Sequence, residues 1–306
     1  MRILVLGAGA IGGYYGMQLA RAGADITFLV RPRRAAQLER DGLVLQGRGE
    51  LLRRPVSHIL AGQIEAPFDL VLLTCKAYDF EAALAAIVPA VGDATAILPV
   101  LNGLAHFDAL DARFGAARVL GGVCYIAAML EPDGAICHMS PSDLILFGSR
   151  GGGASPQLDA LAALFAATPV GARASDILQD LWEKWCMLAA GAGLTCLMRG
   201  TIGEIMATDL GQAIAEAMMS ECRAIAAAAG HAPRAASIEQ TSSRLTDRRS
   251  RWAASIMRDI AQGAPRLEHE HILGDLIRRG RAAGIATPLL AAAHCQLQVH
   301  AARGAA

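Results

Sequence analysis

Apolar positions in the first hundred residues come in short unbroken blocks rather than alternating with polar ones. Ile3 to Leu6, Asp25 to Val30, Phe68 to Thr74 and Ala96 to Leu101 are each about one strand long. Such blocks read as strands buried on both faces of a parallel sheet. Helical stretches stand between them, at Tyr14 to Ala22 before Gly23 and at Phe80 to Val88. Leu43 to Ile59 alternates loosely around glycines and predicts short strands or an irregular excursion. Val119 to Phe147 predicts strands about a turn at Glu131-Pro-Asp-Gly134, extending the same sheet antiparallel. Ser149 to Pro156 is flexible punctuation, followed by a helix and a short strand. From Asp176 strand signals stop, and helices are expected over 177–190, 209–229, 237–261, 267–281 and 288–302. Leu181, Trp185 and Leu188 fall at i, i+4 and i+7, so the first of these helices carries a broad buried stripe.

The link after the first strand carries the first candidate chemistry. Gly7-Ala8-Gly9-Ala10-Ile11-Gly12 joins a buried strand to a helix. Free helix N–H groups and the positive end of the helix dipole then face the turn, where a pyrophosphate fits. Gly7 allows the tight turn, Gly9 the approach of phosphate, and Gly12 close packing of helix on strand. The fold class is therefore α/β: a Rossmann-type doubly wound domain over 1–172, then an all-helical substrate and catalytic domain over 173–306. The second strand ends in Arg31-Pro32-Arg33-Arg34 with no carboxylate. A guanidinium there matches a 2′-phosphate, which selects NADPH over NADH.

Composition narrows the class without naming a reaction. Lys+Arg and Asp+Glu are both 28, so net charge draws the chain neither to nucleic acid nor to a membrane. Seven cysteines without a CxxC pair, and no secretory signal before the glycine turn, suggest reduced thiols in the cytoplasm. Cys75 and Cys124 read as small core residues. The longest apolar run, 185–198, is too short to span a bilayer.

Lys76 and Asn102 follow the ends of two parallel strands, where ligands of open α/β sheets collect. Lys184 lies between Trp182 and Trp185 on an apolar helix. Burial would lower the pKa of such a lysine towards the range useful for proton transfer; the plainer alternative is a lysine that snorkels to solvent. Glu268-His-Glu-His271 invites a metal, but residues two apart do not share a helix face, whereas Glu268, His271 and Asp275 do. No metal is assigned, because catalytic zinc needs three convergent ligands and an open position.

Taken together, several motifs resemble the ketopantoate reductase family. They are the glycine turn, Cys-Lys-Ala at 75–77, Leu-Asn-Gly at 101–103, Leu-Trp-Glu-Lys at 181–184, Ser-Ile-Met-Arg-Asp at 255–259, Glu-x-Glu at 268–270 and Gly-Ile-Ala-Thr-Pro at 284–288. The resemblance implies hydride transfer from NADPH to a small 2-keto acid, with Lys184 as proton donor. It places Gly7, Ala8, Gly9, Ala10, Ile11, Gly12, Arg31, Lys76, Asn102, Ala128 and Glu268 around the cofactor. Asn102 and Ser255 would hold the substrate of a cytoplasmic enzyme; a homodimer is one option for an oligomeric state that the sequence leaves open. Two departures stand out. Leu188 and Ala192 occupy positions where the family carries substrate-contacting asparagines, and Leu273 stands where it often has another. Apolar groups there point to a less polar substrate than ketopantoate, or to an NADPH-binding sensor or regulatory protein without turnover.

Overall fold

The computed structural model describes residues 1–304 apart from Arg48, Ala154, Pro169 and Ser175; of the punctuating segment 149–156, Ala154 thus lies outside the described residues. The chain falls into two compact units, Met1–Leu101 with His106–Ile177, and Asn102–Ala105 with Leu178–Ala306.

In the first unit, β1 (Arg2–Leu6), α1 (Ala10–Arg21), β2 (Asp25–Leu29) and α2 (Pro32–Asp41) follow in turn. Next come β3 (Leu43–Gly47), β4 (Glu50–Arg54), β5 (Ser57–Ile59), β6 (Leu70–Leu73), α3 (Phe80–Ile87) and β7 (Ala96–Pro99). The parallel sheet has the order β5-β2-β1-β6-β7. Its register pairs Ile3 with Ile26 on one side and with Leu70 on the other. Ile3, Leu4, Val5, Leu70 and Val71 are wholly buried, as unbroken apolar strands require. Strand order runs one way from β1 and then the other, so right-handed crossovers put helices on both faces. The reversal lies between β1 and β6, whose carboxyl ends are the expected ligand edge.

After α4 (Ala105–Phe114), β8 (Gly121–Leu130) and β9 (Ile136–Gly148) form an antiparallel hairpin. They do not extend the parallel sheet as its sequence suggested. Instead β9 pairs with β3, and on its other side with β10 (Gly171–Arg173), which follows α5 (Pro156–Ala166). The segment leading into the hairpin meets the first sheet at a parallel bridge, Ile97 to Val119. The free edge of β7 is four residues long and ends in Pro99, which has no N–H to donate. The long β8 and β9 satisfy one another instead. Helix α1 packs on both sheets. A Cβ at Gly16 would meet the Phe28 ring at 2.6 Å, and one at Gly13 would meet Ile136 at 2.2 Å. Tyr14 donates to the buried Asp143 carboxylate, and Tyr15 to the Asp143 carbonyl at 3.0 Å.

The second unit is built on α6 (Ile177–Met198), with α7 (Ile202–Met206), α8 (Gly211–Ala228), α9 (Ala235–Leu245), α10 (Ser255–Ala261), α11 (Asp275–Ala282) and α12 (Pro288–Gly304). Among the described residues no strand lies beyond Arg173. Small residues late in α6 admit neighbours closely; a Cβ at Gly191 would meet Trp252 at 2.6 Å. The Glu221 carboxylate caps α12 by accepting from the N–H groups of Leu289 and Leu290, both at 2.9 Å. The helix expected over 209–229 forms as α8, and the Thr201–Glu204 capping box starts α7 as a separate short helix before it. Two expected helices are interrupted. The 237–261 stretch breaks over 246–254, where Asp247 takes the Arg249 N–H at 2.9 Å and offers the backbone an alternative to helix. Over 267–281, Glu270–Gly274 is a wide π turn. No described helix is long and apolar enough to cross a membrane.

Rotation of α6 is set by Glu183. Its carboxylate takes the Arg234 N–H at 2.7 Å and Nε–H at 2.8 Å, and Gln179 Nε2 at 3.0 Å. Burial opposes the charge, but these donors outweigh it and hold the Glu183 carboxyl below its ordinary value. The clamp therefore contributes stability above about pH 4.3, the unfolded value, and loses it as pH falls through the lowered folded value. Arg234→Ala should lower the melting temperature by a few degrees at pH 7. Thermal scans from pH 7 to 3 should show the gap to wild type closing at the acid end; a constant gap would mean that the clamp is not ionic.

Candidate active site

In the first unit the glycine turn sits at the carboxyl end of β1, with Arg31 following β2 and Lys76 following β6. Gly7 has φ +95°, a left-handed conformation that favours glycine. A Cβ at Gly12 would lie 2.2 Å from the Gly7 carbonyl and 2.3 Å from Thr74 Oγ1, while one at Gly9 would meet nothing within 4 Å. Gly12 is thus a packing glycine, and the space above Gly9 is open. Helix α1 has no side-chain cap and no acidic residue in its first turn. Its leading N–H groups are available to an anion. Those features fit the pyrophosphate of a dinucleotide.

The three arginines after β2 take different roles. Arg34 donates from Nε to the Ala8 carbonyl at 2.9 Å and from Nη1 to Gly134 at 2.8 Å, so it braces the glycine turn from behind. Arg31 remains exposed with Nη2 3.1 Å from Asp79. That carboxylate competes for the guanidinium proposed to read a 2′-phosphate. Lys76 is exposed, Cys124 is buried and Cys75 only half-buried, short of the core position expected for it. Ala128 lies in β8 beside a register shift between Ile126 and Ala128, opposite His138.

In the second unit, Lys184 is half-buried and donates from Nζ to Asn102 Oδ1 at 3.1 Å. The two residues are 82 apart in sequence. Trp185 is buried below the lysine and donates from Nε1 to the Ile272 carbonyl at 2.9 Å, tying α6 to the π turn. The same turn supports Asn102. At Gly103, with φ +78°, a Cβ would sit 2.8 Å from the His271 carbonyl. Burial pushes the His271 pKa down, against Glu268, Asp275 and the Asn102 backbone, which favour its charged form. Glu268 is buried beside them.

Leu188 and Ala192 continue the Lys184 face of α6 at successive i+4 steps. Leu188 keeps part of its surface, whereas Ala192 is buried. Leu273 is wholly buried and belongs to the core. Ser255 opens α10 half-buried, and the preceding Ala254 N–H donates to Thr195 Oγ1 of α6 at 3.3 Å. Two contributors escaped the sequence reading. The Glu183–Arg234 clamp spans 51 residues and has no local signature. His271 was weighed only as a metal ligand, although its place directly after Glu-x-Glu could have flagged it.

Comparison with known proteins covers both units. The model described as "Ketopantoate reductase PanE/ApbA" matches residues 3–152, and "Ketopantoate reductase PanE/ApbA C terminal" matches 176–300. An uncharacterized oxidoreductase of Bacillus subtilis, YkpB, is 34% identical over 98% of this chain and 99% of its own length. A 2-dehydropantoate 2-reductase of Mesorhizobium japonicum is 30% identical over 75% of this chain and 77% of its own. Among solved structures, the 2-dehydropantoate 2-reductase of Geobacter metallireducens has a TM-score of 0.88 at 29% identity, over 98% of this chain and 99% of that one. A D-mandelate dehydrogenase solved with NADH and anilino(oxo)acetate shares the fold, with a TM-score of 0.89 at 22% identity over 100% of both chains. With both halves matched in order and relatives spanning nearly its whole length, this chain is an oxidoreductase-type protein that belongs to the ketopantoate reductase family.

Proposed function

We propose that the chain is an NADPH-dependent reductase of a 2-keto acid with an apolar tail, in which Lys184 is the proton donor. The observation that carries the reading is the Lys184 Nζ to Asn102 Oδ1 hydrogen bond of 3.1 Å, in a chain of this family. The Gly7–Gly12 turn, Arg31 and Lys76 would hold the dinucleotide, with Asn102 and Glu268 also at the cofactor, while Lys184, Asn102 and Ser255 would serve the substrate. When bound, a reduced nicotinamide supplies hydride to the keto carbon. The chain's own residues do the rest. Lys184 gives an Nζ proton to the carbonyl oxygen as it becomes a hydroxyl, and then recovers one from solvent. Asn102 Oδ1 fixes the ammonium so that its remaining protons have a set direction. Ser255 would donate to the substrate carboxylate.

Leu188 and Ala192 shape the substrate choice. An apolar face accepts an alkyl or aryl tail and leaves a hydroxyl unpaired, which disfavours ketopantoate. The NADH and anilino(oxo)acetate held by the D-mandelate dehydrogenase of similar fold are consistent with that class, and they make the nucleotide choice a matter for measurement. The same two residues favour a second reading, a dinucleotide-binding regulatory protein without turnover. NADPH oxidation across a panel of 2-keto acids separates the two: turnover on none, with NADPH binding intact, supports the regulator.

Three outcomes are expected. Lys184→Ala should lower kcat by about 10²–10⁴-fold with little change in NADPH affinity, and Lys184→Arg should not rescue it. Steady-state kinetics on both variants check this, and wild-type kcat in Lys184→Ala would remove the lysine from the mechanism. Arg31→Ala should weaken NADPH about tenfold and leave NADH nearly unchanged; equal losses in fluorescence titrations would mean that Arg31 does not read the phosphate. Finally, kcat/KM should be higher for an apolar-tailed 2-keto acid than for ketopantoate. A clear win for ketopantoate would show that other groups replace the two family amides.

A further inference from the structure

The π turn of the second unit places three metal-ligating side chains together, none of them part of the Lys184–Asn102 pair. His269 and Glu270 are adjacent at its start, and His294 comes from α12. Glu270 Oε1 lies 3.8 Å from His269 Nε2 and 3.0 Å from His294 Nε2. One ligand atom from each residue lies within 4.8 Å of the other two. Two donors held by one tetrahedral ion, each about 2.0–2.2 Å from it, stand roughly 3.3 Å apart. The observed separations bracket that spacing.

Three further features favour a shared ion over a simple ion pair. First, a hydrogen bond is directed, but His294 Nε2 is buried and makes none despite its closeness to Glu270. Donor atoms that point at a common third position look this way. Second, Gly274 holds the space open. A Cβ there would lie 2.5 Å from Glu270 Oε2 and 3.0 Å from His294 Nε2. Glycine in a helical interior costs about 1 kcal/mol against alanine, so this space has a use. Third, the carboxylate is oriented from outside, by Gln298 Nε2 donating to Oε1 at 3.0 Å and Arg278 Nη1 to Oε2 at 3.3 Å. Partners of that kind fix metal ligands. Single-turn π helices recur at functional sites.

We infer that His269, Glu270 and His294 form a binding site for a zinc-class divalent ion, with water in the fourth position on the side where Glu270 is exposed. The helix-face argument from sequence tested Glu268, His271 and Asp275 and could not see it, because the third ligand comes from α12.

The test uses the full chain without a tag, with zinc in equilibrium dialysis and cobalt(II) as the spectroscopic probe. One ion per chain is expected, with visible cobalt bands and no thiolate charge-transfer band. Zinc should raise the melting temperature of the wild type. His294→Asn and His269→Asn should each weaken binding beyond the ~10–100-fold that an outer partner costs, and Gln298→Ala should weaken it by about tenfold. Cys295→Ser, which removes the exposed neighbouring thiol, should change nothing. The metal-free melting temperature of each variant shows that it is folded. Absence of stoichiometric binding at micromolar free zinc, or binding that survives both histidine substitutions, would overturn the site and leave a plain Glu270–His294 ion pair.

Discussion

A half-buried lysine on an apolar helix beside two tryptophans is best placed where a polar partner meets its ammonium. Here the partner is Asn102 Oδ1, 3.1 Å from Lys184 Nζ, and the helical unit is arranged to keep the two within reach. On one side, Glu183 and Arg234 fix the rotation of α6. On another, the Trp185 indole N–H binds the Ile272 carbonyl and sets α6 against the π turn. That turn in turn backs Gly103, where only a residue without a side chain fits against the His271 carbonyl. Each contact is modest alone. Together they hold one ammonium in one place, which is what a proton donor needs.

The first unit shows the same economy at its glycine turn. Gly12 is filled around by the Gly7 carbonyl and Thr74, so it serves packing, while the position above Gly9 stays open. Arg34 braces the turn through the Ala8 carbonyl. A turn held from behind presents its N–H groups without reorganising when an anion arrives, the condition for tight phosphate binding at a helix start.

Elements legible in the sequence are those whose signal is local. The β1–turn–α1 unit needs only an apolar block, glycine spacing and helix periodicity, and it forms as read. The partner of the Val119–Phe147 strands was not legible, because an antiparallel hairpin can join any sheet with a free edge. What excluded β7 was its shortness and Pro99, weighed against the long mutual pairing of β8 and β9. The break at 246–254 was hidden because Asp247 and its neighbours satisfy helix periodicity while offering the backbone other bonds. Within the candidate site, a strand end marked Asn102 and flanking tryptophans marked Lys184, the family resemblance added their roles, and their pairing across 82 residues came only from the fold. The bracing role of Arg34 was not legible, because its backbone partners at Ala8 and Gly134 lie far away in sequence.

The claim that Lys184 and Asn102 work as one unit is tested most directly by a double-mutant cycle on kcat/KM, using Lys184→Ala, Asn102→Ala and the pair. If Asn102 acts by holding the ammonium, its loss should matter little once the lysine is gone. The double variant should then be close to Lys184→Ala alone, with a coupling energy in the ~0.5–3 kcal/mol range of contacting residues. Losses that simply add would contradict the account, by showing that the two residues act independently.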